Sequence, residues 1–90
     1  MNNATFKKAQ KAAERALNCE FNMTLTEKEV TFVLSPLGNS TSWQLNMIDS
    51  RSCQSLLTKL QELGVADPEA QTMWVGIGAT HRMVLSVKRA

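Results

Sequence analysis

Apolar positions recur along this chain with two different periods. Over residues 4–18, Phe6, Ala9, Ala13, Ala16 and Leu17 share one face at helical spacing, with lysines opposite. Alanine is the strongest helix former, and an alanine-lined face lets a helix sit close to what it covers. Asn3 or Thr5 is placed to cap its start. The period then drops to two. Phe21, Met23 and Leu25 alternate with Asn22 and Thr24, Val30, Phe32 and Leu34 with Thr31 and Val33, and Trp43, Leu45 and Met47 with Gln44 and Asn46.

Parity tests whether these runs belong to one sheet, since a one-residue slip turns a strand's apolar set to the wrong face. A turn at Glu27-Lys28 sets Leu25 opposite Val30, Met23 opposite Phe32 and Phe21 opposite Leu34. A second turn at Gly38-Asn39 sets Leu34 opposite Trp43, Phe32 opposite Leu45 and Val30 opposite Met47. Both turns gather the large apolar residues on one face. The other face would show Asn22, Thr24, Thr31, Ser35, Ser42, Gln44 and Asn46.

Residues 50–63 return to helical spacing, with Cys53, Leu56, Leu57, Leu60 and Leu63 as the stripe. Asp49 or Ser50 fits its cap and Gly64 its end. Asp67-Pro68 predicts a short helical turn over 68–71. Met73, Val75 and Ile77, then Met83, Leu85 and Val87, predict a last hairpin. Keeping both sets on one face requires an odd-length loop such as Ala79-Thr80-His81. The expected fold is therefore α+β, a single domain over 1–90. It is a two-layer sandwich of order α-β-β-β-α-β-β, with two helices on one face of an antiparallel sheet.

A competing reading makes residues 26–48 a helix-turn-helix. Thr26 with Glu29 forms a capping-box pattern. LLTKLQELGV resembles the end of a winged-helix recognition helix, and the last hairpin would then be the wing. Against this, Val30-Thr31-Phe32-Val33 favours a strand. The room between Ile48 and Cys53 is also too short to end one helix and begin another. The leading order α-β-β-β-α resembles that of double-stranded-RNA-binding domains in topology. That family grips phosphates with clustered lysines at the start of its second helix, where this chain reads DSRSCQS with Arg51 alone.

Composition narrows the chemistry. Apolar residues make up 43% and charged residues 20%, ordinary for a globular domain. No apolar run approaches the length of a membrane span. The formal charge of +2 is uneven, with +3 over residues 1–18, +3 over 82–90 and −4 between. Cys19 and Cys53 are far apart and His81 is the only histidine, so no zinc site is expected. The thiols read as reduced and buried, in a cytoplasmic protein. GIGAT at 76–80 lacks the following helix that a phosphate loop needs. No hydrolase or nucleotide-binding motif occurs, and no cofactor is expected. Cys53 belongs to an apolar stripe, which favours burial over nucleophilic action with His81.

These readings point to a non-enzymatic protein-binding module. The expected type is a small inhibitor, immunity or regulatory factor of phage, plasmid or bacterial kind. Trp74, Val84, Val33 and Ile48 fall on the side of their strands away from the core set. An exposed tryptophan is a common interface anchor, so the expected contact residues are Trp74, Arg82, Val84, Lys88 and Arg89. A last strand at the sheet edge would allow a homodimer through it. The alternative is nucleic-acid binding by a winged-helix-like regulator, with Lys7, Lys8, Lys11, Arg51 and Lys59 on phosphates.

Overall fold

A computed structural model describes residues 2–17, 20–34, 50–78 and 82–90. The order is α1 (Asn3–Leu17), β1 (Phe21–Leu25), β2 (Glu29–Leu34), α2 (Ser50–Glu62), β3 (Trp74–Ile77) and β4 (Met83–Lys88). The four strands form one antiparallel sheet in the order β1-β2-β4-β3. This is the α+β class that the alternation predicts. The third strand expected over 42–47 lies outside the described residues.

The first hairpin has the predicted register, with Leu25 opposite Val30, Met23 opposite Phe32 and Phe21 opposite Leu34. Glu29–Leu34 is a strand, which removes the helix that the winged-helix reading begins there. Thr26 and Glu29 serve the turn instead. The Thr26 hydroxyl oxygen accepts from the backbone N–H of Lys28 (3.2 Å) and of Glu29 (3.0 Å), and Thr26 N donates to the Glu29 carbonyl (3.0 Å). A side chain that satisfies orphan amides at a helix start does the same job in a tight hairpin.

The second register is different from expectation. Val30 lies opposite Val87 and Phe32 opposite Leu85, so β4 holds the side of β2 that the Gly38-Asn39 hairpin needs. β4 is thus central. Its other side meets β3, and beyond β3 Ala66 bridges Arg89 while Asp67 N donates to the Lys88 carbonyl (2.9 Å). A last strand paired on both sides cannot carry a homodimer through its edge.

Pairing fixes the faces. Val30, Phe32 and Leu34 share a face with Met83, Leu85 and Val87, and all six are buried. Ala9, Ala13 and Leu17 of α1 and Leu56, Leu57 and Leu60 of α2 complete this core. Phe21 meets Phe32 edge-on, with ring centroids 5.7 Å apart. Asn2, one position earlier than expected, caps α1, its side-chain oxygen accepting from Thr5 N (2.8 Å). Gly64, at φ 75°, ends α2 as predicted. Val65 N donates to the Leu60 carbonyl (2.8 Å) and Gly64 N to the Gln61 carbonyl (3.0 Å). These paired bonds satisfy carbonyls left over at the helix end, and only a left-handed residue permits them without strain.

After α2 the chain turns at Asp67-Pro68. This is one hydrogen-bonded turn, not the short helix that proline predicts. The Asp67 carboxylate accepts from Glu69 N (2.9 Å) and its carbonyl from Ala70 N (3.1 Å). Gln61 of α2 anchors this turn, its amide donating to the carbonyls of Asp67 (3.0 Å) and Ala70 (2.8 Å). Gly78 N then donates to the Arg82 carbonyl (2.8 Å), which leaves an odd-length loop between them, as parity requires.

Candidate functional site

The sheet face opposite the helices carries Asn22 and Thr24 of β1, Thr31 and Val33 of β2, Val84 and Ser86 of β4, and Trp74 and Gly76 of β3. None belongs to the buried core. Trp74 lies at the rim of this face and is 59% exposed. Its indole runs along its own strand over Gly76, and a methyl group at Gly76 would overlap Cη2 and Cζ2 of the ring. The glycine thus makes room for a flat aromatic platform beside Val84.

A groove of about 570 Å³ opens beside the indole, lined by Thr31, Thr72, Trp74, Val84, Ser86 and Lys88 among others. Three of the five expected contact residues, Trp74, Val84 and Lys88, therefore share one surface. Lys88 is exposed, with its ammonium 3.8 Å from the Asp67 carboxylate, an ion pair of little energetic weight. Arg82 is half-buried at the hairpin end. Arg89 has a different task. Its guanidinium donates to the Thr26 carbonyl (3.0 Å) and its backbone N–H to the Lys28 carbonyl (3.0 Å), tying the chain end to the first hairpin. Ile48, predicted to share Trp74's side, lies outside the described residues. Sequence parity places Trp74 on this face but carries no signal of what covers it.

The cations expected at phosphates lie on the helical layer. Lys7, Lys8, Lys11, Arg51 and Lys59 are all exposed. Arg51 and Lys59 come together with Arg15 at a groove of about 380 Å³ between α1 and α2, floored by Ala12 and Ala16. Lys59 pairs with Glu62 at 3.4 Å. The helix periodicity of α1 and α2 could have shown Arg15 facing outward but not that it neighbours Arg51.

Among the described residues no three His, Cys, Asp or Glu side chains cluster as a metal site would require. Nor is any described helix long and apolar enough to cross a membrane. Cys53 is half-buried against the core, and His81 lies outside the described residues. No protein-family model, curated protein or solved structure matches the chain.

Proposed function

We propose that this protein is a non-enzymatic protein-binding module, working in the cytoplasm as a small inhibitor, immunity or regulatory factor. Its contact surface is the open sheet face around Trp74. The observation that carries this reading is the indole itself, exposed, seated on Gly76 and beside a groove of mixed apolar and polar lining. A large rigid aromatic held in place before contact loses little entropy on binding, which is why tryptophan dominates interface energetics. The test is affinity capture from native lysate with the tagged chain, with and without nuclease. A stoichiometric protein that survives nuclease, and is lost with Trp74→Ala and weakened by Arg82→Glu, supports the reading. Capture that ignores both substitutions overturns the site.

One observation favours a second reading, nucleic-acid binding by the helical layer. Arg15, Arg51 and Lys59 line one groove, and Lys7, Lys8 and Lys11 extend along α1. Partners that disappear with nuclease would move the function to that face.

A further inference from the structure

The hydrogen-bond alternation of the sheet shows which edge each residue addresses. In an antiparallel ladder, pairs that exchange hydrogen bonds alternate with pairs that do not. The Gly78–Arg82 bond makes 78/82 an exchanging pair, and so also Gly76/Val84 and Trp74/Ser86. The Arg89–Lys28 bond gives the matching phase between β2 and β4, with Val30/Val87 and Phe32/Leu85 exchanging. The two phases agree: odd residues of β4 address β2 and even ones β3. Trp74 and Gly76 therefore use their backbone groups on β4, while Val75 and Ile77 aim theirs away from the sheet. Among the described residues none meets them.

This edge is unprotected. Natural edges carry lysine, proline, inward charges or a cover, and Trp-Val-Gly-Ile-Gly has no charge and no proline. The exposed large hydrophobics among the described residues are Trp74, Val75 at 42% and Ile77 at 48%, all on β3.

We propose that β3 pairs with β3 of a second copy, antiparallel about a two-fold axis through Gly76, joining two sheets into one. The strand is its own complement in this register. Val75 lies opposite Ile77 of the second copy, and both backbone groups of each are used. Their side chains meet on the helix-side face and cover one another. On the open face Gly76 meets Gly76 in the closer, non-exchanging position, with no side chain to obstruct the two indoles. A strand suited to an unrelated segment needs no such agreement between residues either side of one glycine. The interface is small, so the dimer is weak, in the micromolar to millimolar range. It is independent of what the open face binds.

Sedimentation velocity of the whole chain, from low micromolar to near-millimolar concentration, tests it. The weight-average mass should rise from 10.0 kDa toward twice that value. Hydrogen exchange at the amides of Val75 and Ile77 should slow over the same range, with Trp74 and Gly76 protected throughout. The double variant Val75→Lys/Ile77→Lys, at two exposed positions, should remain monomeric with an unchanged circular dichroism spectrum. Trp74→Ala should still dimerise while losing the captured partner, which separates this proposal from the function above. A constant monomer mass overturns it. So does a dimer that leaves exchange at Val75 and Ile77 unchanged, and neither of those outcomes depends on a variant.

Discussion

Trp74 and Gly76 show how one missing side chain shapes a surface. The indole lies where a β-carbon would project, so its pose depends on glycine two residues on. Gly76→Ala tests this. The indole is exposed and free to swing away, and alanine lowers the backbone entropy cost of the strand, so stability should change by less than about 1 kcal/mol. Partner capture should nonetheless fall, and indole emission should shift, read in a Trp43→Phe background. Unchanged emission would show that the ring does not rest on Gly76. The sequence announces part of this arrangement. Period-two alternation puts Trp74 on the face opposite Val75 and Ile77, and Gly76 on the same face as Trp74. It does not announce that Val75 and Ile77 stay exposed on the core side, because that depends on where the helices end.

Local chemistry set the elements. The stripe of α2 and Gly64 locate that helix within a residue, and the Glu27-Lys28 turn yields the full β1–β2 register. Where local patterns misled, the same side-chain chemistry served two purposes. Thr26 and Glu29 satisfy orphan amides whether a helix or a turn follows, so the capping-box pattern could not choose between them. Asp67-Pro68 likewise fits a helix start and an Asx turn alike. That turn depends on Gln61, whose amide reaches two of its carbonyls. Gln61→Ala strands both acceptors in a half-buried setting and should cost about 1–2 kcal/mol in chemical denaturation. Exchange at Ala70 N should quicken with it. Gln61→Glu should be as harmful, since a carboxylate cannot donate to a carbonyl.

The whole molecule separates its charge and its apolar exposure. The helical layer holds Lys7, Lys8, Lys11, Arg15, Arg51 and Lys59 against Glu14 and Glu62, while the exposed large hydrophobics lie on β3. If the helical layer grips phosphates, binding to a labelled single strand should weaken steeply with salt. Arg15→Gln and Arg51→Gln should each reduce the log–log slope by about 0.7, and Arg82→Gln should leave it unchanged. A slope indifferent to Arg15 and Arg51 would remove that reading. The central place of β4 was the least legible feature. Alternation marks a strand but not its neighbours, and β2 and β4 meet across more than fifty residues of chain with no local signal of the match. This topology bears on the order in which the chain is made. Translation delivers α1, both strands of the first hairpin and α2 before Met83, Leu85 and Val87 exist. Until those residues leave the ribosome, β2 lacks one neighbour and Phe32 lacks the residue it pairs with. The nascent chain must carry an open apolar sheet through most of its synthesis, so it depends on chaperones or on fast completion, not on stepwise folding.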